Sequence, residues 1–339
     1  METARSVGDL KHALFALLRC ALECPPDLYG LEDLTSSQWE TLYEMARQQS
    51  VLGLLYQGIS RLGFTGIPDY LAIKLMLESG RIEHRSRQVG AESARLCEEL
   101  VRKGFHPVLM KGPSVAAFYP SPELRVSGDI DFYFPAGEFS KVRVFFGGEG
   151  YTVESAPDGS FFCRGDVDID VHPRYFDLHV REDVLPPVPS PEATLLMLSA
   201  HILKHAMGPG VGLRQICDMA MAYRALDGVL DKDRLEALYR RTGLMKWNAL
   251  LGGYIEARLG IRYVLEGRGN WNVLERIVFE GGNFGHFADG RDRALQGGAI
   301  GRKLDTGFRF VRKGPFALKY APWEYLMFIK SLLKGNLGV

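Results

Sequence analysis

Two aspartates at alternating positions, Asp129 and Asp131, are the residues of this chain best suited to do chemistry. They begin an apolar run, and because strand side chains alternate between faces, both should project from one face, about 7 Å apart. Two like charges held that close repel each other unless a cation lies between them. Carboxylate oxygens suit Mg²⁺, which proteins usually hold with one or two carboxylates together with substrate phosphates. The pair therefore predicts a metal site that handles a phosphorylated ligand.

A turn of small residues precedes this pair, at the end of the short apolar run in Val108–Ser114. Backbone N–H groups in a glycine turn can bind phosphate oxygens. Turn and aspartates together predict a nucleotide-handling site.

A two-metal site needs a third carboxylate, and the later apolar run Val167–Val171 places Asp168 and Asp170 on one strand face. Three carboxylates that converge on two Mg²⁺ ions can hold a nucleoside triphosphate, align an acceptor hydroxyl and stabilise the charge of an in-line displacement. The carboxylate nearest the acceptor can also take its proton. The residues alone leave open which of the two aspartates is the third ligand.

Composition narrows the class of protein. The 339 residues are 46% apolar, enough for a large core in two or three domains. The 41 basic and 41 acidic residues cancel, which argues against a nucleic-acid partner. The sequence has no apolar run of the about 18 residues that a transmembrane segment needs, and no signal segment is expected. The five cysteines lack the spacing of a zinc site and indicate reduced thiols in a cytoplasmic protein.

Apolar periodicity divides the chain into three regions. Residues 1–103 have helical spacing, residues 104–184 alternate short strands with short helices, and residues 190–339 are helical again. The proline-rich segment Leu185–Pro191 is a linker or domain edge. Within the second region, Gly165 and Asp166 are expected to join two strands in a tight hairpin.

Four motifs together resemble the nucleotidyltransferase superfamily that includes DNA polymerase beta. They are Leu-Met-Lys-Gly at 109–112, Tyr-Pro at 119–120, Arg-x-x-Gly-Asp-Ile-Asp at 125–131 and Asp-Val-His at 170–172. More narrowly, the chain is similar to a poorly characterised bacterial group of nucleotidyltransferase family proteins. The resemblance covers most of the chain, although only the segment from Lys-Gly to Asp-x-Asp is specific. It implies an α+β fold in which N-terminal and C-terminal helical regions flank a small mixed-sheet nucleotidyltransferase core.

The resemblance also implies roles for the acidic residues. Asp129 and Asp131 bind metal, and Asp170 is the third carboxylate because the motif reads Asp-x-His at this point. His172, on the same strand face as Asp170, has at most a supporting role. All three aspartates are expected to be catalytic as well as metal ligands.

One departure from the superfamily concerns the turn, where a Lys-Gly pair stands in place of the Gly-Ser or Gly-Gly of many relatives. Gly112 still allows a close backbone approach to the triphosphate. Ser114 offers a hydroxyl, and Lys111 adds a charge that can reach a phosphate. The resemblance thus implies that these three residues bind the nucleotide.

Two helices beyond the core are similar to helices of the family. His201 and Lys204 lie on the first, Arg214 on the second, and all three are expected to contact phosphates. An i,i+4 ion pair with Asp218 is the alternative for Arg214. Arg125 is expected either to bind phosphate or to form a structural ion pair. Metal binding by His201 and His205 is disfavoured, because the glutamate that follows the first histidine in a zinc hydrolase is missing.

Two further segments carry no assigned role. Residues 280–286 are similar to a segment of some family members, but their glycines predict a loop. The basic and aromatic tail, residues 307–338, is expected to pack on the body rather than on a membrane surface.

The leading functional hypothesis is Mg²⁺-dependent transfer of a nucleoside monophosphate from a nucleoside triphosphate to a hydroxyl of a small molecule or protein, with release of pyrophosphate. One alternative is a nucleotide-binding or regulatory protein that retains the fold without catalysis. The other is a glycosyltransferase that holds a nucleotide-sugar through its Asp-x-Asp pair. Such an enzyme needs a longer sheet before the aspartates, where this sequence predicts helices. The base, the acceptor and the oligomeric state stay open.

Overall fold

The computed structural model of this chain describes residues 7–135, 137–156, 159–208, 210–263, 265, 269–282 and 311–333. The fold is α+β, with a five-stranded mixed sheet between helical regions, and the predicted fold class is therefore confirmed. None of the helices in this part of the chain is long and apolar enough to cross a membrane.

The helices before the sheet are α1 (Val7–Ala21), α2 (Ser36–Gln48), α3 (Leu52–Arg61) and α4 (Asp69–Arg102). Helix α4 is long enough to join two parts of the molecule. Its first half buries Leu71 and Leu75 among the other helices. Its second half buries Leu96 and Leu100 against the sheet. The helix therefore fixes the sheet against the N-terminal helices.

The strands are β1 (Val108–Leu109), β2 (Asp129–Tyr133), β3 (Thr152–Ser155), β4 (Phe161–Arg164) and β5 (Asp168–His172). Their order across the sheet is β1-β2-β5-β4-β3, and only the central pair β2–β5 is parallel. Helix α5 (Pro113–Ala116) follows β1, and α6 (Phe139–Gly148) connects β2 to β3. The predicted hairpin between β4 and β5 is confirmed. This order places the two aspartate-bearing strands next to each other.

The helices after the sheet are α7 (Pro191–Met207), α8 (Leu213–Leu226), α9 (Lys232–Arg241), α10 (Met245–Leu259), α11 (Asn272–Gly281), α12 (Gly314–Tyr320) and α13 (Pro322–Leu333). The last two form the described part of the basic and aromatic tail. Phe316 and Tyr320 are buried in the helical core. Glu324, also buried, accepts hydrogen bonds from the backbone N–H and Nδ1 of His179. The tail therefore packs on the body, as expected from the sequence.

Two hydrophobic cores organise the described residues. One is shared by the helices before and after the sheet, so that Leu14 and Leu17 of α1 belong to the same cluster as Leu250 of α10. The other lies under the sheet, where Ile130, Phe161 and residues of α4 and α6 pack together. The polar face of the sheet is turned toward α7 and α8, where the candidate site lies.

Close packing of α3 on α1 yields a prediction about two helical glycines. A Cβ at Gly58 would lie 2.2 Å from the carbonyl oxygen of Leu17, whereas a Cβ at Gly80 of α4 would meet no atom within 4 Å. We expect Gly58→Ala to lower the free energy of unfolding by about 1–3 kcal/mol through overpacking. Gly80→Ala should raise it by about 0.5–1 kcal/mol, because alanine is the better helix former. Urea unfolding of both variants checks this, and equal effects would contradict the packing of these helices.

Candidate functional site

The acidic residues of the two central strands face one side of the sheet. Strands β2 and β5 pair in parallel, with Asp129 opposite Asp168 and Asp131 opposite Asp170. Residues directly opposite in a ladder share a face, so the register brings four carboxylates to one surface. Ligand atoms of Asp131, Asp170 and His172 lie within 4.8 Å of one another.

The two aspartates of β5 have different surroundings. Asp168 accepts a hydrogen bond from Nη1 of Arg164 at 2.7 Å, and its side chain is 39% exposed. Asp170 lines a cavity together with Asp129 and Asp131. The geometry therefore separates the two candidates for a third carboxylate, because Asp170 lies beside the other two on the sheet wall of the cavity.

Asp131 is the most strongly held carboxylate of the group. Its side chain is only 8% exposed, and Oδ1 lies 3.0 Å from Nζ of Lys111 and 2.8 Å from Nε2 of His172. Because an ionised carboxylate can only accept, Nε2–H of His172 donates this bond. Burial alone would raise the pKa of Asp131, but Lys111 and His172 together hold it well below its ordinary value. Asp131 is therefore ionised throughout the physiological range.

The other two carboxylates are shifted in the opposite direction. Burial and the charges of Asp131 and Asp129 raise the pKa of Asp170 to about 7. Burial and the charge of Asp131 also raise the pKa of Asp129, although Lys111 opposes the shift. The cluster thus carries more negative charge than its surroundings neutralise, and its oxygen donors fit a divalent cation that would take the place of a proton.

The cavity above these carboxylates has a volume of about 380 Å³, within the usual range for small-ligand sites. The sheet forms one wall and helices α7 and α8 form the other. The sheet wall also includes Phe162 and His172, and the helical wall includes His201, Arg214 and Gln215. Acidic groups therefore face a wall that carries a guanidinium group and an imidazole.

The predicted phosphate turn lies at the end of β1. Lys111 and Gly112 line the cavity. Gly112 has a φ of 62°, and a Cβ there would lie 3.2 Å from the carbonyl oxygen of Asp129, so the turn requires glycine. Ser114 is turned back, with its hydroxyl donating to the carbonyl of Lys111 at 3.3 Å, and it is not among the residues that line the cavity.

Arg125 is buried in an ion pair with Asp218 of α8. Its Nε and Nη2 donate to the two carboxylate oxygens at 2.9 and 2.6 Å, and the hydroxyl of Tyr119 donates to Oδ1 at 2.7 Å. Burial would raise the pKa of Asp218, but the charge of Arg125 keeps it below its ordinary value. The bidentate pair, one of the two alternatives expected for Arg125, ties the segment before β2 to the helical wall.

Arg214 lies beside this pair on the cavity wall. Its Nη1 donates to the carbonyl oxygen of Val126 at 3.0 Å. Burial and the charge of Arg125 lower the pKa of Arg214 from its ordinary value. The charges of Asp218 and Asp129 act in the opposite direction on Arg214, so the two guanidinium groups and two carboxylates form one charged cluster at this end of the cavity.

On α7, His201 lines the cavity and Lys204 does not. Both are directed at Asp177, with Nδ1 of His201 at 3.5 Å from Oδ2 and Nζ of Lys204 at 3.1 Å from Oδ1. Burial and the charge of Lys111 lower the pKa of His201 to about 4, so its imidazole is neutral at pH 7. The ring of His205 packs edge-on against that of His201, 4.4 Å between centroids.

Sequence reasoning missed Asp177, and it gave His172 only a supporting role. Asp177 follows β5 in a segment with no periodic pattern, so the sequence carries no signal for its position beside α7. The Asp-x-His spacing did indicate that His172 shares a face with Asp170. Of the segment 280–286, residues 283–286 lie outside the described residues.

The raised pKa of Asp170 predicts a pH-dependent stability difference. The folded protein binds this proton more tightly than the unfolded chain, so its contribution to stability is complete below about pH 4 and is lost as the pH rises through about 7. Asp170→Asn removes the repulsion. In EDTA at pH 8 we expect the variant to be more stable than the wild type by on the order of 1–3 kcal/mol, and near pH 4.5 about equally stable. Urea unfolding of both proteins between pH 4.5 and 8 checks this. A difference in unfolding free energy between variant and wild type that does not change with pH would contradict the assigned charge cluster.

Comparison with known proteins identifies the family. Residues 35–260 match the profile of a family described as an uncharacterised nucleotidyltransferase. The match runs from the start of α2 to the end of α10 and includes every strand of the sheet and both helices of the cavity wall. No curated protein and no solved structure gives a significant match. The chain therefore belongs to the uncharacterised nucleotidyltransferase family.

Proposed function

We propose that this protein transfers a nucleoside monophosphate from a nucleoside triphosphate to a hydroxyl group of a small molecule or protein acceptor, with Mg²⁺ bound and pyrophosphate released. The observation that carries the proposal is the arrangement of Asp129, Asp131 and Asp170 around one cavity whose opposite wall bears Arg214. Membership of a nucleotidyltransferase family supports the reaction class. The triphosphate substrate and the five free thiols support a cytoplasmic location.

Asp129, Asp131 and Asp170 are the residues that would hold Mg²⁺, in a two-metal site. Their oxygen donors match its preference, and the shared face of β2 and β5 keeps them together. When bound, Mg²⁺ neutralises phosphate charge and stabilises the charge that develops during an in-line displacement.

The nucleotide is bound by groups on both walls. Lys111 and Gly112 on the turn and Arg214 on α8 are the proposed phosphate contacts, since all three line the cavity. His201, neutral and donor-capable, is a further contact from α7. For Ser114, Lys204 and Arg125 we propose positioning roles instead. Arg125 also lines the cavity, but its Nε and Nη2 are bound to Asp218, the ion-pair alternative of the two expected for it. Arg125 holds Asp218, Ser114 closes the turn, and Lys204 holds Asp177.

The proposed chemical step is a substitution at the α-phosphorus. The acceptor hydroxyl oxygen forms a bond to this phosphorus as the bond to the bridging oxygen of the β-phosphate breaks, and pyrophosphate leaves with that electron pair. The proton of the hydroxyl passes to the carboxylate of Asp170. Asp170 suits this task because it lies beside Asp131 on the sheet wall of the cavity, and a bound cation would keep its carboxylate ionised.

The fold gives no support to the glycosyltransferase alternative. Such an enzyme needs a larger nucleotide-binding sheet before its aspartates, and within the described residues only the two-residue strand β1 precedes β2. A binding protein without catalysis would share the site geometry, so turnover distinguishes it from the proposed enzyme.

Isothermal titration with ATP, GTP, CTP and UTP in the presence of Mg²⁺ tests the proposal. We expect at least one triphosphate to bind. Asp131→Asn should weaken that binding by about tenfold or more, because loss of even an indirect partner of a metal costs about tenfold and Asp131 is proposed as a direct ligand. Asp168→Asn is the matched control, because it removes an aspartate from the same face but outside the cavity.

Absence of binding for every triphosphate, or equal weakening in both variants, would contradict the nucleotide site. Binding without pyrophosphate release across a panel of sugars, aminosugars and hydroxyl-bearing peptides would support the non-catalytic alternative.

A further inference from the structure

The side chain of Lys111 connects the phosphate turn to the proposed metal ligands. The residue immediately precedes Gly112, whose left-handed backbone fixes the direction of the chain. Its Nζ lies 3.0 Å from Oδ1 of Asp131, and the two side chains are only 16% and 8% exposed. A lysine ammonium is a compact charge on a flexible four-carbon stem, so it can leave one anion for another without movement of the backbone.

The contact lies where a divalent cation would also have to bind. Oδ1 of Asp131 already receives Lys111 and His172, and Asp170 is within reach of the same oxygen-rich space. A divalent cation at Asp131 would therefore stand next to an ammonium group in a poorly exposed site. Like charges at such distances repel strongly where water is scarce. The divalent cation and the Lys111 ammonium therefore weaken each other's interaction with the Asp131 carboxylate.

Resting on the proposed function, we infer that Lys111 is a tethered counter-ion of Asp131 that competes with the divalent cation and moves to the triphosphate when metal and nucleotide bind together. The protein then binds the free ion weakly and the ion together with nucleotide much more tightly. This order of affinities keeps Asp131 paired with a cation when no metal is bound, and it links metal binding to arrival of the substrate.

The surroundings indicate where Lys111 can go. Asp177 and Asp129 are further carboxylates whose charges act on Lys111. Asp177 is already paired with Lys204 and with His201. A bound triphosphate would supply new anionic oxygens on the cavity side of the turn, next to Gly112. Transfer of the ammonium from Asp131 to these oxygens exchanges one charge-assisted contact for another.

Mn²⁺ binding to the full chain without nucleotide, measured by electron paramagnetic resonance of the unbound ion, tests the competition. We expect Lys111→Met to tighten Mn²⁺ binding by about tenfold, the equivalent of one charge-assisted hydrogen bond. Lys111→Arg retains the charge and should bind Mn²⁺ as weakly as the wild type. Lys232→Met, at the exposed start of α9, removes the same charge from a residue that does not line the cavity, and it should leave the affinity unchanged. Circular dichroism confirms that each variant is folded.

Unchanged or weaker Mn²⁺ binding in Lys111→Met, or equal tightening in Lys232→Met, would overturn the inference while leaving the proposed function intact. Absence of Mn²⁺ binding in the wild type even with ATP would instead overturn the proposed function.

A second measurement tests the movement to the triphosphate. A non-hydrolysable ATP analogue should tighten Mn²⁺ binding more in the wild type than in Lys111→Met, because only the wild type has an ammonium to displace. Equal tightening in the two proteins would overturn this part of the inference.

Discussion

Electrostatic repulsion among carboxylates on the parallel β2–β5 pair is the constraint on which the site depends. The register places Asp131 opposite Asp170, with Asp129 one alternate position away on the same face. The repulsion is relieved unevenly, because Lys111 pairs with Asp131 and His172 donates a hydrogen bond to it, while Asp170 retains a proton up to about pH 7. Repulsion between neighbouring carboxylates destabilises a site of this kind, and binding of a cation together with an anionic ligand would reduce that repulsion.

The helical regions hold this charged face in position. Helix α4 packs against the back of the sheet, and the buried Arg125–Asp218 pair joins the segment before β2 to α8. The N-terminal and C-terminal helices share one hydrophobic core, and α4 extends from that core to the separate core under the sheet. The family match extends across these helices as well as the sheet, consistent with a site built from both.

Much of this arrangement could be predicted from the sequence, because alternation in strands fixes which side chains share a face. Asp129 with Asp131, and Asp170 with His172, follow from period two alone. The structural difference between Asp168 and Asp170 comes from tertiary structure. Arg164 pairs with Asp168, whereas Asp170 lines the cavity under α7. Likewise, the sequence cannot show that Lys111 contacts a carboxylate, that Arg125 pairs with a residue 93 positions later, or that Asp177 faces α7.

The most direct measurement is a crystal structure of the protein with Mn²⁺ and a non-hydrolysable nucleoside triphosphate, with the ion located by its anomalous scattering. We expect an anomalous peak coordinated by Asp131 and Asp170, the triphosphate against Gly112 and Arg214, and Nζ of Lys111 on a phosphate oxygen. A nucleotide bound away from this face, or a cavity in which Lys111 still holds Asp131 and no ion is present, would contradict it.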